Sequence, residues 1–475
     1  MKSKGILLPV FSLPSRYGIG DFGKKAYEFV DFLAETGQKY WQILPLNQTS
    51  FGDSPYQSPS AYAGNPYFIG LETLAAEGLL TAEELESEAL PVGAIDYAAL
   101  YSRRYAVLRR AFSRFDRSNA DFCAFCERTP WLADYCAFMA IKSENGGRDW
   151  QAWPQEQKNR KTADPPAEAA AFFAFLQYEF FRGWRALKNY ANERGVQIVG
   201  DMPIYVAADS ADVWANPDNF QLDENLRPTA VAGVPPDAFS PDGQLWGNPL
   251  YDWEAMERDG FGWWIERLRA AFTLYDAVRI DHFRGFAAYY SVPYGETTAK
   301  NGKWVQAPGM ALFAKVKKTF PGAPIWAEDL GFLDESVREL LAFTGYPGMK
   351  VLQFAFDCKN SEYLPKNYPQ NCIAYTGTHD NMTSRQYLDS VRGMAKLRER
   401  LCVRRKPFET KTHAFVRAVL ESRADTAIIP MQDYLESGAE ARVNTPSTLG
   451  GNWAWRLPEN YRALYFARQK KPLAR

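Results

Sequence analysis

Three acidic residues stand directly after apolar runs of the sequence, in motifs that could carry chemistry. They are Asp281 in residues 278–285, Glu328 in residues 326–331 and Asp380 in residues 376–381. Two carboxylates suffice as nucleophile and acid/base on a glycosidic bond, and a third can grip substrate hydroxyls. The three acids therefore indicate an enzyme that works on sugar chains.

The neighbours of these acids suggest different roles for them. Strand alternation puts Arg279 and Asp281 on one face, and the nearby cation favours an ionised carboxylate that can act as a nucleophile. A structural ion pair explains the same two residues equally well. Apolar neighbours such as Trp326 raise the pKa of Glu328, which makes it the candidate acid/base. Asp329 is expected to cap the following helix.

The histidines raise the question of a metal site. His282 and His379 adjoin two of the acids, whereas His413 lies in a predicted helix and is interpreted as structural. No HxxE or HxH spacing occurs, so the pattern favours no metal. Cys123 and Cys126 form a CxxC in a predicted helix, where both thiols would share one face, and core packing is the favoured interpretation.

The acids must be positioned by the elements that precede them. Helical patterns, including residues 23–36 and 172–194, separate most of the short apolar runs, and alternation around eight strands predicts a parallel (β/α)8 TIM barrel whose strand ends form the active site. The predicted strands cover residues 5–9, 40–46, 196–204, 277–283, 324–329, 349–356, 373–380 and 427–433.

Two long spans interrupt this alternation, at the carboxyl ends of the second and third strands. Residues 47–195 carry helical patterns, for example at 100–115 and 132–143, and are predicted to form a helical insertion. Residues 205–253 are rich in Pro, Gly, Asp and Asn and are predicted to form a loop-rich insertion over the active site. The whole chain, 1–475, is expected to be a single catalytic barrel.

Composition argues against several other classes of protein. The 55 basic and 56 acidic residues give a net charge of -1, so neither nucleic acid nor a membrane is an expected partner. Residues 398–406 are basic but are predicted to be a solvated helix face. Gly18–Gly23 spells GxGxxG, yet the following strand ends without an acid, so a turn is favoured over a dinucleotide site. Scattered cysteines and the lack of a signal segment indicate a cytoplasmic protein.

Motifs along nearly the whole chain resemble the 4-α-glucanotransferases (amylomaltases, disproportionating enzymes) of glycoside hydrolase family 77. Besides the three acid motifs, the resemblance rests on residues 12–14 with the 18–23 turn, 41–46, 54–58, 63–66, 200–205, 233–237, 243–249 and 452–456.

The resemblance implies a retaining transfer of α-1,4-glucan segments to the 4-hydroxyl of an acceptor, through a covalent glycosyl-enzyme intermediate. Asp281 would be the nucleophile, Glu328 the acid/base and Asp380 the transition-state stabiliser. Arg279 would hold Asp281. The other implied substrate-binding residues are Tyr56, Asp201, Trp246, His282, His379 and Asn381.

The same resemblance implies the partners of the protein. The substrates would be maltooligosaccharides and α-glucans such as starch, glycogen and amylose, with no cofactor, no metal and no obligate protein partner. Residues 235–246 correspond to a loop over the site. Val443 and Ser447 depart from the usual Met and Gly of the family, which puts acceptor preference in doubt but not the chemistry.

Two other functions remain open at this point. An α-amylase-type hydrolase or a branching enzyme could use the same barrel with altered loops, and the linkage of the products separates these from a transferase. A non-catalytic glucan-binding protein on a decayed barrel is the second alternative. It is disfavoured, because such a protein is expected to have lost at least one of the three acids.

Overall fold

Eight parallel strands form the central sheet of the computed structural model, which describes residues 2–236, 240–331, 333–356, 360–391 and 409–470. The strands in chain order are β1 Ser3–Leu7, β2 Tyr40–Gln42, β3 Gln197–Met202, β4 Ala230–Val234, β5 Gln244–Pro249, β6 Ala277–Ile280, β7 Ala288–Pro293, β8 Lys303–Gln306, β9 Ile325–Ala327, β10 Gly348–Val351, β11 Cys372–Tyr375 and β12 Thr426–Pro430. The order in the large sheet is β10-β11-β12-β1-β2-β3-β6-β9.

The first and last strands of that order, β10 and β9, meet and close the barrel. The backbone N–H of Ala327 donates to Pro347 O at 3.0 Å, and the N–H of Met349 donates to Asp329 Oδ1 at 2.6 Å. A Cβ at Gly348 would lie 2.5 Å from Asp329 Oδ2, so any larger residue there would push against this carboxylate. A carboxylate therefore takes the place of a ladder hydrogen bond at this seam.

This role of Asp329 overturns the expectation that it caps a helix. The next helix is capped instead by Asp334, whose Oδ1 accepts from the backbone N–H of Val337 at 3.2 Å. Asp329 is nearly fully buried between the two strands. The physical reason is that a carboxylate at a strand end can satisfy the unpaired N–H of the neighbouring strand.

The parallel barrel predicted from the sequence is confirmed, and each of the eight predicted runs overlaps one of its strands. Each predicted run extended past the carboxyl end of its strand, and three of the runs reached into a following helix. The chain leaves the strand geometry for a 3-10 helix at Phe283–Phe286 and at Leu352–Phe356, and for a short helix at Met431–Tyr434. These turns carry the backbone out of the barrel wall at its active-site end.

Helices surround the barrel, and residues 47–195 contain those from α2 to α7. In chain order over the described residues, the helices are α1 Lys24–Glu35, α2 Leu71–Ala76, α3 Ala82–Ser87, α4 Tyr97–Arg114, α5 Ala120–Arg128, α6 Leu132–Glu144, α7 Ala167–Glu193, α8 Ala211–Ala215, α9 Trp253–Arg258, α10 Gly262–Leu274, α11 Gly309–Thr319, α12 Glu335–Thr344, α13 Ser384–Ser390, α14 Lys411–Leu420, α15 Met431–Tyr434 and α16 Tyr461–Lys470.

A second, antiparallel sheet was not predicted from the sequence. Its order is β5-β4-β7-β8, so it joins two strands of the 205–253 span to two strands that follow β6. The sequence hides this sheet for two reasons. Val231 pairs with Val292 across 61 residues of chain. The sequence of β5, which contains Gly247 and Pro249, resembles a loop. The sheet matters for the site because β5 carries Trp246.

The cysteines only partly fit the predicted core packing. Cys136 is buried and Cys126 is partly buried, but Cys123 is exposed at the surface of α5, so the prediction is wrong for Cys123. The i, i+3 spacing put both thiols near one face but could not tell which of them reached the core. Across the described ranges, no cluster of three or more His, Cys, Asp or Glu residues could hold a metal ion.

Two further expectations concern partners. Within the part of the chain that the structure describes, no helix is long and apolar enough to cross a membrane. The basic stretch at residues 398–406 lies outside the described residues.

Candidate active site

The predicted residues meet at the carboxyl ends of the barrel strands. Asp201 and Arg279 are the penultimate residues of β3 and β6, and they are paired with each other in the parallel register. Asp281 directly follows β6, Glu328 directly follows β9, and Asp380 lies in the loop after β11. Strand ends of one parallel barrel share one rim, so the sequence-distant acids become neighbours.

Arg279 joins two carboxylates at the base of the site. Its Nη1 donates to Asp201 Oδ1 and Oδ2 at 2.6 and 2.7 Å, and its Nη2 donates to Asp281 Oδ1 at 2.7 Å. Arg279 is buried, whereas the Asp281 side chain is 30 % exposed. The contact confirms that Arg279 and Asp281 share a face, and it leaves a held carboxylate that a substrate can reach.

Tyr56 extends this network toward the third acid. Its hydroxyl lies 2.7 Å from Asp201 Oδ2 and 2.9 Å from His379 Nε2, and its ring stacks on that imidazole at 5.5 Å. The Asp201 side chain is fully enclosed. Asp201 is thus placed behind Tyr56 and Arg279, where it can orient them but is not exposed to a sugar.

Glu328 occupies the most enclosed position of the three acids. Its Oε2 accepts from the backbone N–H of His282 at 2.6 Å, and its Oε1 accepts from the N–H of Leu330 at 2.9 Å. Burial first, and the charge of Asp281 second, raise the pKa of Glu328 well above its usual range. Trp326, the apolar neighbour named from the sequence, packs against Tyr40.

His282 adopts a left-handed backbone conformation, with φ 50°, between the two carboxylates. That conformation directs its N–H at Glu328. Burial lowers the pKa of the imidazole to about 4, so the ring is neutral near pH 7. Its edge meets the indole of Trp246, with ring centroids 4.9 Å apart, and Trp246 also lies near Tyr205. Together they form an aromatic wall beside Glu328.

Asp380 is held from the segment that follows β12. Asn444 Nδ2 donates to Asp380 Oδ1 at 2.6 Å, and Arg442 Nη2 donates to the Asp380 carbonyl at 2.9 Å. His379 Nε2 lies 3.2 Å from Asp380 Oδ2. The side-chain oxygen Oδ1 of Asn381 accepts from the backbone N–H of Thr378 at 2.8 Å and so shapes the turn. The Asp380 side chain remains 41 % exposed, which leaves it accessible to a sugar hydroxyl.

Sequence reasoning did not foresee the role of Asn444. In the sequence only its neighbour Val443 stands out, as a departure from the family that bears on acceptor preference. The signal that could have found Asn444 was a polar residue following the eighth barrel strand, since all eight strand ends face one site.

Three acids lie on one rim of the barrel. One is buried, and beside it is a partly exposed carboxylate that an arginine holds. This arrangement defines a (β/α)8 enzyme of glycosidic-bond chemistry. The family model described as 4-alpha-glucanotransferase, of glycoside hydrolase family 77, matches residues 8–461. The chain belongs to this family.

Individual relatives agree with that assignment. The 4-alpha-glucanotransferase of Clostridium butyricum is 49 % identical over 465 residues, which cover 95 % of each chain. That of Streptococcus pneumoniae serotype 4 is 48 % identical over 473 residues, 97 % of this chain and 94 % of the relative. The structure of the amylomaltase from Streptococcus agalactiae in complex with acarbose is 41 % identical, covers 99 % of both chains and superposes with a TM-score of 0.93.

Proposed function

We propose that the transfer of α-1,4-glucan segments, the activity of this family, is carried out here with Asp281 as the nucleophile and Glu328 as the acid/base. The observation that supports this division is the contrast between the two carboxylates. Asp281 is partly exposed and paired with Arg279, whereas Glu328 is buried with a raised pKa. A retaining mechanism needs one anion and one proton donor at neutral pH, and the contrast meets that need.

The first half-reaction breaks the donor. Glu328 gives its proton to the glycosidic oxygen while Asp281 attacks the anomeric carbon. The chain on the reducing side departs with the proton, and the other segment stays bound to Asp281 as an ester. Arg279, which loses one charged partner as Asp281 becomes neutral, keeps its contact with Asp201.

The second half-reaction forms the product. Glu328, now a carboxylate, takes the proton from the 4-hydroxyl of an acceptor sugar, whose oxygen attacks the anomeric carbon and frees Asp281. The partly exposed Asp380 accepts hydrogen bonds from sugar hydroxyls in the transition state, and His379, Asn381 and Tyr56 surround the same ring. The donors and acceptors are maltooligosaccharides and α-glucans such as starch, glycogen and amylose.

Transfer prevails over hydrolysis only if an acceptor sugar is held better than water. The Trp246 ring contacts His282, whose backbone N–H donates to Glu328, and we place the arriving acceptor on this side of Glu328. An aromatic face of this kind stacks on a sugar ring and excludes water. We assign these two side chains to the acceptor.

Incubation with maltotriose tests this proposal. Transfer conserves the number of reducing ends and yields glucose plus a ladder of longer α-1,4 chains. Hydrolysis yields only glucose and maltose, with a rise in reducing ends, and that result would overturn the transferase proposal. New α-1,6 linkages would instead indicate a branching enzyme.

We also propose a cytoplasmic location and a protein that needs no obligate partner. The free thiols of Cys123, Cys126, Cys136 and Cys372 suit a reducing compartment. Cell fractionation with an antibody against the chain tests the location, and recovery of the activity in a periplasmic or secreted fraction would contradict it.

A further inference from the structure

The loop at residues 377–383 carries Asp380 together with His379 and Asn381. It leaves β11 through Thr376 and enters α13 at Ser384. The position of Asp380 therefore depends on how this loop is anchored at its two ends, as well as on its direct contacts with Asn444 and Arg442. Both anchors are made by one residue that has no place in the mechanism above.

That residue is Asp433, in the short helix α15 after β12. Its Oδ2 accepts from Thr376 Oγ1 at 2.6 Å and from Ser384 Oγ at 2.6 Å. Its Oδ1 accepts from the backbone N–H of Ser384 at 2.7 Å. Asp433 is only 1 % exposed. One carboxylate thus ties the entry of the loop to its exit, and hydrogen bonds to a charged acceptor are stronger than neutral ones.

The loop is not tightly packed from behind. A cavity of about 20 Å³ lies between it and the segment after β12, and Thr378, His379, Gln432, Asp433 and Val443 are among the residues that line it. The Oε1 atom of Gln432 is buried with no hydrogen-bond partner among the described residues. The volume is enough for about one water molecule. Because side-chain packing does not fill this space, the hydrogen bonds of Asp433 help to hold the loop on this side.

We propose that Asp433 is a positioning residue for the transfer reaction: by clamping Thr376 to Ser384, it holds Asp380 where the transition state needs it. This inference rests on the proposed role of Asp380 as transition-state stabiliser. Asp433 itself touches no substrate. Displacement of a reacting group by about 1 Å can cost about a hundredfold in rate, so a clamp of this kind has a measurable effect.

The test is the variant Asp433→Asn, assayed with maltotriose. Its amide group keeps the size of the side chain but puts an N–H donor where one carboxylate oxygen accepted. We expect kcat per folded molecule to fall by about tenfold to a hundredfold. KM should change by less than about threefold, because an interaction made in the transition state lowers kcat and kcat/KM together. A kcat within about twofold of the wild-type value would overturn the proposal.

Asp276→Asn is the matched control. The Asp276 carboxylate also accepts from a backbone N–H, that of Ile198 at 2.8 Å, but at the amino-terminal end of the barrel. This variant can lose thermal stability, and its kcat should stay unchanged, since that end of a barrel contributes stability rather than catalysis. If it loses kcat as Asp433→Asn does, the effect is general and the proposal fails.

Two milder variants keep the test decisive if Asp433→Asn does not fold. Thr376→Val and Ser384→Ala each remove one hydroxyl donor from the clamp. Each should lower kcat without raising KM, and full activity in both would overturn the proposal. The variant Asp380→Asn separates a failure of the proposed role of Asp380 from a failure of the proposed role of Asp433. If it stays active, the role of Asp380 is wrong. If it is inactive while the clamp variants are fully active, only the role of Asp433 is wrong.

Discussion

The Tyr56 hydroxyl lies between Asp201 Oδ2 and His379 Nε2, at 2.7 and 2.9 Å. Burial raises the pKa of Asp201, but both of its oxygens accept from the Arg279 guanidinium, whose charge favours the ionised form, so we take this carboxylate to act only as an acceptor. A phenol has one proton to donate, which Tyr56 must give to Asp201. The hydroxyl therefore accepts from His379, and Nε2 of His379 carries a proton. A continuous polar chain thus links Asp281 to the loop of Asp380.

Tyr56→Phe should interrupt this chain while keeping the ring that stacks on His379. A hydrogen bond to a charged group contributes about 1.5–3 kcal/mol, so we expect kcat/KM for maltotriose to fall by about ten- to a hundredfold. The variant Tyr190→Phe is the control, since its hydroxyl also donates to a carboxylate, Asp31, but on the outer helices. Equal activity of both variants would show that the Tyr56 hydroxyl has no catalytic importance.

The proton on His379 can be observed directly. The chain contains only 3 histidines, so ¹⁵N NMR of a histidine-labelled sample gives few enough imidazole signals to assign by substitution. We expect a protonated Nε2 at His379 in the wild type and a changed signal in Tyr56→Phe. A wild-type His379 protonated only on Nδ1 would contradict the hydrogen-bond directions given above.

Glu328→Gln should separate the acid/base from the nucleophile. General acid catalysis contributes about 10²–10⁴-fold, so transfer from maltotriose should fall by that factor. An α-maltotriosyl fluoride needs no proton for departure, so its fluoride release in the first half-reaction should change by less than about tenfold. Glu179→Gln is the control, because Glu179 is also a buried glutamate but is paired with Arg182 on α7. Equal losses with both donors would refute the acid role.

The pH dependence follows from the raised pKa of Glu328. The proton donor is present below that pKa and is lost as the pH rises through it, so kcat/KM for maltotriose should have a falling alkaline limb. With the fluoride donor this limb should be absent from the first half-reaction. A limb at the same pH with both donors would mean that a different group titrates.

Trp246→Ala should weaken the acceptor site. The loss of an aromatic contact costs about 0.5–1.5 kcal/mol, which predicts an acceptor KM higher by about two- to tenfold and a larger share of hydrolysis. The rise in reducing ends measures that share. Tyr294→Ala, which removes an exposed ring in the loop after β7, is the control and should leave the share of hydrolysis unchanged. An unchanged acceptor KM in Trp246→Ala would exclude Trp246 from the acceptor site.

The barrel seam predicts a stability effect rather than a catalytic one. Gly348→Ala places a methyl group 2.5 Å from Asp329 Oδ2 and should destabilise the fold by about 1–3 kcal/mol. Gly262→Ala, whose new methyl would lie 3.5 Å from its nearest neighbour, is the control. Urea unfolding measures both variants. If Gly348→Ala were as stable as the wild type, the close contact at the seam would be wrong.

The barrel could be predicted from the sequence because its signals are local. Each buried parallel strand is a short apolar run, and Arg279 and Asp281 share a face by simple alternation. The prediction overran after Val351 and Pro430, because apolar residues also fill the short helices that follow those strands. Local composition does not distinguish a buried strand from a buried turn.

The contacts that could not be predicted are those between distant segments. Tyr56 meets Asp201 across 145 residues, and Asn444 meets Asp380 across 64 residues. No periodicity encodes such pairs. The resemblance to a family named Tyr56 and Asp201 as site residues, but only the fold shows that Asp201 lies behind the site, in contact with Arg279 and Tyr56.

The central claim is that Asp281 becomes covalently attached to the sugar, and trapping the intermediate tests it most directly. A 5-fluoro maltooligosyl fluoride reacts in the first half-reaction, and its ring fluorine slows the second. After proteolysis and mass spectrometry, we expect the added sugar mass on the peptide that contains Asp281, and no such adduct in Asp281→Asn. A sugar found on Glu328 or Asp380, or turnover by Asp281→Asn at the wild-type rate, would contradict the mechanism.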